Sequence, residues 1–167
     1  IANGGFETLN DAGYAAGITI DGFDGDYGWG KNAFIVEDAA GGSYALSLTG
    51  DLAGATRIFV GAAVEPGKTY LYTFKVKGSV VNGSGAAASV GSDIEQFNNG
   101  AWIGVNSNTG SDAVTPVEGE WTTMNHFYSA PENVNGVNFA TFLPWIEGTV
   151  LFDDMGLYEW GEIVEEE

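Results

Sequence analysis

The chain contains no cysteine, a single histidine, and few basic residues: Lys and Arg together number 5, against 23 Asp and Glu. The absence of cysteine excludes disulfides, thiol catalysis and zinc–thiolate sites. The shortage of positive charge leaves a formal net charge of −18 over 167 residues. Nucleic-acid binders need a basic face, and anionic lipid surfaces repel a chain of this sign, so neither partner is expected. No apolar run is long enough to span a bilayer, which argues against membrane insertion. Helical periodicity is missing too. No window keeps apolar residues at helical spacing over three turns without a Gly or a β-branched interruption.

What the chain does contain is glycine, 26 residues of it, together with a hydrophobic fraction of 44%. That fraction supports a packed core, and the length suits one domain. Strand signals are many. In Ser43–Gly50, Tyr44, Leu46 and Leu48 alternate with small or polar residues. In Thr69–Gly78, Tyr70, Tyr72, Phe74 and Val76 point one way and Leu71, Thr73, Lys75 and Lys77 the other. Residues 120–130, 136–145 and 149–160 are further aromatic and β-branched runs. Turn signals separate them at 65–68, 81–85, 117–120 and 131–136. Many short strands with Gly-rich turns predict an all-β antiparallel β-sandwich or barrel with little or no helix.

Four stretches, in this order, resemble a known superfamily. They are Asn3–Glu7 (NGGFE), Ser43–Gly50 (SYALSLTG), Val64–Gly78 (VEPGKTYLYTFKVKG), and residues 120–160 from EWTTMNHFY to LFDDMGLYEW. Together they are similar to carbohydrate-binding modules of families 4, 9, 16 and 22. The resemblance implies a jelly roll of two antiparallel sheets that binds a polysaccharide in a cleft on the concave sheet. It also implies one structural calcium ion (Ca2+) where the N-terminal segment meets the last strand. On the matching positions, the ligands are Gly5 and Glu7, the turn carbonyls of Gly42 or Ser43, and Asp153. Phe6 is then a core plug beside the ion. Hard oxygen donors of this kind suit calcium.

The other constellations are weaker. Asp21, Asp24 and Asp26 lie in a glycine context but lack the EF-hand order, so an acidic surface loop is expected there. His126 has no nucleophile-elbow motif to serve and reads as structural. Asp153 and Asp154 are adjacent on a strand, so they face opposite ways and form no catalytic pair.

The aromatic residues carry the binding expectation, because sugar rings stack an apolar face on aromatic planes while their hydroxyls seek planar polar groups. The stretch Glu95–Asn108 offers Phe97 and Trp102 amid Gln96, Asn98 and Asn99. The stretch 139–145 offers Trp145, and the stretch 54–61 offers Arg57, the single arginine. Trp29, Trp121, Phe152 and Trp160 are expected in the core. The expected function is non-catalytic binding of a neutral β-glycan, with β-1,3- or mixed-linkage glucan such as laminarin first. The alternatives are a small catalytic jelly roll using acids such as Glu95, Glu120 or Glu147, and an adhesion module whose aromatics are all buried. Residues 1–160 form the module and 161–167 an acidic linker, within a secreted or surface-exposed bacterial protein that acts as a monomer.

Overall fold

The structure, a computed structural model, describes residues 1–108 and 113–161. Of the linker expected over 161–167, all but Gly161 lies outside the described residues. Ten strands are present: β1 (Thr19–Phe23), β2 (Ala33–Val36), β3 (Ala45–Gly50), β4 (Ala55–Ala63), β5 (Thr69–Val81), β6 (Gly91–Asn98), β7 (Ala101–Asn108), β8 (Thr122–Ser129), β9 (Gly136–Pro144) and β10 (Glu147–Glu159). No helix occurs among the described residues.

The strands form two antiparallel sheets of five, in the orders β1-β4-β9-β6-β7 and β2-β3-β10-β5-β8. This is the two-sheet jelly roll that the resemblance implies, and it decides between the sandwich and the barrel that the strand and turn pattern left open. The alternation along β5 works as expected: Tyr70, Tyr72, Phe74 and Val76 are all buried. Tyr72 stacks on Phe139 of the facing sheet at 4.3 Å, and Phe74 meets Phe152 at 5.9 Å. A buried bond of 2.8 Å joins the Tyr72 hydroxyl to Thr141 Oγ1 across the two sheets. Burial drives the Tyr72 phenol pKa far above its ordinary value, so it stays protonated and bonded.

The N-terminal segment is pinned as its glycines require. Met155 donates its backbone N–H to the Gly4 carbonyl at 2.9 Å. A Cβ on Gly4 would stand 1.8 Å from the Met155 carbonyl oxygen, so no larger residue fits there. Phe6 is fully buried, as a core plug should be. The Asn3 side chain ties the segment down by bonding Thr8 and the Ala16 carbonyl. Where it meets this segment, β10 bulges between Asp153 and Gly156, and Asp154 takes a positive φ of 49°.

Three expectations about packing need correction. Trp160 is not in the core: it is 55% exposed and packs edge-on against Phe127 at 5.1 Å. It follows the last strand and lies with exposed Phe127 on the outer face of its own sheet, its backbone N–H donating to the Thr69 carbonyl. Trp121 is half-buried, with Lys77 Nζ 4.8 Å from its ring centre. Trp29 does pack against the core but is only half-buried, stacked on Tyr14 and donating to the Ile18 carbonyl. Phe152 is fully buried as expected. The stretch 95–108, singled out for its aromatics and amides, lies in the β6–β7 hairpin, which turns at Asn99 and Gly100.

Candidate functional site

The register of the β1-β4-β9-β6-β7 sheet decides which side chains share its outer face. Asp21, Arg57 and Phe142 lie in one row, Phe59, Ala140 and Asp93 in the next. Then come Gly61, Asn138, Glu95 and Val105, and finally Ala63, Gly136, Phe97 and Trp102. Small residues occupy the middle strands at Ala140, Gly61 and Gly136. The sheet is therefore hollowed along β4 and β9, with larger side chains on either side.

The hollow holds two cavities. One, of about 380 Å³, is lined by Phe23, Arg57, Asp93, Glu95, Phe142 and Trp145 among others. The second, of about 420 Å³, lies between Gly61, Phe97, Asn135 and Gly136. Asn138 lines the second and donates to Glu95 Oε2, in the wall of the first, at 3.3 Å. The trough follows β4 from Ala55 to Ala63, roughly 27 Å at strand rise.

Arg57 is fixed in place rather than solvated. Its Nε and Nη2 donate to the two carboxylate oxygens of Asp21, both at 2.9 Å. The Phe23 and Phe59 ring centres lie 4.1 and 4.2 Å from its guanidinium carbon, and Glu95 lies 3.8 Å away. Trp145 is 50% exposed and holds a positive φ of 47°, while its backbone N–H donates to the Gly54 carbonyl at 2.9 Å. A left-handed tryptophan costs roughly 1–2 kcal/mol, and such strain concentrates where a side chain must be aimed. Asp93 contributes a carboxylate oxygen, Oδ1, that is fully buried and has no hydrogen-bond partner among the described residues.

The structure brings Arg57 and Trp145 together at one end of the trough. It places Phe97 opposite Trp102 at the other, with Trp102 60% exposed on the rim. It separates the remaining two expected sugar contacts. Gln96 alternates to the inner side of β6. Asn99 sits at a positive φ of 48° in the hairpin turn, its amide bonded to Asn135. Asp93, Phe23 and Phe142 line the trough although the sequence did not single them out. Period-two alternation does put Asp93, Glu95 and Phe97 on one face of β6.

Of the three candidate catalytic acids, Glu95 alone lines the trough. His126 is a satisfied structural residue, buried between Ser92 Oγ at 2.8 Å and Asn106 Oδ1 at 3.1 Å. Of the aspartates expected in an acidic surface loop, Asp21 lies instead on β1, where it pairs with Arg57, while Asp26 pairs with Lys31.

At the opposite sheet, the side chains of Glu7 and Asp153 both come near Gly5. A Cβ there would lie 3.8 Å from Asp153 Oδ1 and 3.8 Å from Glu7 Cγ. Glu7 Oε1 accepts from the Ser43 and Tyr44 N–H groups at 2.7 and 3.0 Å. Gly42, with a φ of 70°, must be glycine, since a Cβ would stand 2.3 Å from that oxygen. Asp153 is fully buried and accepts from the backbone of Ala40, Gly41 and Asp154. Burial nonetheless raises its carboxyl pKa above the ordinary value. Among the described residues, no three His, Cys, Asp or Glu side chains cluster as a metal site.

The chain belongs to the carbohydrate binding domain family CBM_4_9, whose model matches residues 1–148. None of the curated protein sequences compared matches it. Among solved structures, the chain is similar to a family 4 module (TM-score 0.63, 19% identity, covering 96% of this chain and 99% of that one). It is also similar to a family 61 module from a complex with β-1,4-galactotriose (0.60, 16%, 96% and 97%). A cyclase from Fischerella sp. TAU shares the fold as well (0.66, 15%, 96% and 95%). The chain spans only 21% of a bacteriophage CBA120 tailspike domain that it also resembles (0.66, 12%, covering 96% of this chain). At these identities the likenesses establish the fold.

Proposed function

We propose that this chain is a non-catalytic module that binds a neutral polysaccharide along the trough, with β-1,3- or mixed-linkage glucan such as laminarin as first ligand. The trough itself carries the reading: an open channel with exposed aromatic planes at both ends and fixed polar groups between them. Trp145 and Phe23 stack sugar rings at one end, Phe97 and Trp102 at the other, while Arg57, Asp93, Glu95 and Asn138 meet hydroxyls. Arg57 is already held by Asp21 and two rings, so little side-chain freedom is lost on binding. Asp21 and Glu95 flank the one guanidinium and Asp93 adds a third carboxylate to the trough, and that balance repels uronates and sulfated chains.

A calcium ion braces the N-terminal segment in this reading. The fit rests on a buried carboxylate, Asp153, whose nearest partners are neutral N–H groups, beside a second carboxylate on Glu7. Glu7 and Asp153 would hold the ion, with backbone oxygen from Gly5 and from the turn at Gly42 and Ser43. A bound cation offsets the burial cost of Asp153. The module acts outside the cell, as part of a secreted or surface protein.

Native electrophoresis through gels containing laminarin, lichenan, xylan, glucomannan, galactan or alginate tests the function. Retardation by a neutral glycan and free migration in alginate are expected, with no release of reducing ends. Unretarded migration in every gel overturns the reading.

A further inference from the structure

A second concavity lies on the other sheet. It has a volume of about 490 Å³ and is lined by Thr73, Lys75, Thr123, Asp154 and Tyr158, with Gly4 and Gly5 at one side. That volume falls within the range of small-ligand sites. Its wall is unusual. Tyr158 is 60% exposed, and its ring lies down over Gly156, where a Cβ would stand 2.6 Å from a ring carbon. Glycine at 156 therefore lets the ring lie along the sheet and turn a π face to solvent. The apolar surface continues from this ring, because Leu71 lies opposite Tyr158 and Phe127 opposite Leu71, with Trp160 edge-on beyond.

The charged side chains of the lining, Lys75 and Asp154, balance one another. Lys75 Nζ donates to Asp154 Oδ2 at 2.7 Å, so its charge is matched within the cavity. Thr73 Oγ1 donates to the Met124 carbonyl at 2.9 Å and so faces a ligand as an acceptor. An anion gains little from a cation already paired. An apolar ligand leaves the hydroxyls and the ion pair unsolvated. An uncharged polyol with one apolar face fits both features: the face stacks on the ring, and the hydroxyls bond the rim.

We propose that this cavity is a second glycan-binding site, on the sheet opposite the trough, taking a neutral sugar unit stacked on Tyr158 and bonded by Thr73, Thr123 and the Lys75–Asp154 pair. It rests on the glycan reading only for the class of ligand. The chain thereby holds sugar on both of its broad faces and can bridge two chains or two segments of one.

Isothermal titration with laminarihexaose, xylohexaose and β-1,4-galactotriose in calcium-containing buffer tests it. The proteins compared are the unaltered chain, Tyr158→Ala, Thr123→Ala, Trp145→Ala and the Tyr158→Ala/Trp145→Ala double variant. Tyr158, Thr123 and Trp145 are exposed, so the variants should fold, as thermal melting will verify. The unaltered chain should bind two equivalents of one oligosaccharide. Tyr158→Ala should leave one, Trp145→Ala the other, and the double variant none. Thr123→Ala should weaken the second event about tenfold. If Trp145→Ala removes all heat, or if Tyr158→Ala and Thr123→Ala titrate like the unaltered chain, the second site is overturned and the trough stands. If Tyr158→Ala alone abolishes binding, the trough reading falls and this site remains. No heat from any of the three probes overturns both.

Discussion

Single residues in the trough show where stability yields to binding. Asp93 keeps a carboxylate oxygen buried and unbonded, an arrangement that costs about 1–3 kcal/mol. The rest of the carboxylate lines the trough, where it can accept from a sugar hydroxyl. Replacing Asp93 with Ala should therefore leave the melting temperature unchanged or higher while glycan affinity falls about tenfold. Calorimetry of the variant with and without ligand checks both halves, and a lower melting point with unaltered binding contradicts the assignment. Trp145→Gly should behave alike, relieving the φ of 47° while removing the stacking plane. Retardation in the responsive gel should weaken while thermal stability holds. Trp145 was legible in the sequence as an aromatic beside a proline at a strand end. Asp93 and Phe142 were not, because their partnership depends on β6 and β4 both lying beside β9. Local pattern gives the face of a strand but not its neighbours.

At the level of elements, the N-terminal segment and the β10 bulge form one structure. Their glycines differ in a way that composition hides. A methyl group on Gly4 collides with the Met155 carbonyl, whereas one on Gly5 meets its neighbours at ordinary contact distance. Gly4→Ala should cost several kcal/mol, of the order seen for overpacked sites, and Gly5→Ala about 1 kcal/mol or less in the absence of calcium. Denaturant unfolding in EDTA measures both. Calcium should raise the melting point of the unaltered chain but not that of Glu7→Gln; saturation at 100 times Kd corresponds to about 2.7 kcal/mol. The pH dependence follows from Asp153. Its folded pKa is raised above the ordinary 3.8 by burial first, so its folded state holds the proton more tightly than the unfolded chain does. Its contribution favours folding below 3.8 and is lost as pH rises through the folded value. In EDTA, Asp153→Asn should flatten that loss, and melting curves across pH will show it. Strands β3, β5, β8, β9 and β10 were legible because alternation of aromatic and β-branched residues marks them. The hairpin β6–β7 was not: amides and glycine there serve an exposed sheet face, which mimics the composition of a loop.

For the whole molecule, charge governs solution behaviour. With −18 distributed over one domain, self-repulsion opposes compaction, and salt screens it over about 10 Å at 0.1 M. Sodium chloride should raise the melting temperature by a few degrees before any specific ion effect, and should do so in EDTA. Fold class was legible throughout, since short strands and glycine turns admit few other architectures. Function was legible only as a class, because the fold also appears in a cyclase and a phage tailspike.

The order of strands bears on how the chain comes to be folded. The centre of each sheet is a late strand: β9 closes on β4, and β10 on both β3 and β5. During synthesis, then, the chain before Gly136 can form the β1–β4, β2–β3, β5–β8 and β6–β7 pairs, but nothing joins them into sheets until β9 and β10 emerge. Refolding should fall in the millisecond-to-second range typical of non-local β topologies. Nascent chains halted before Gly136 should remain open to protease, whereas those released after Glu159 should not.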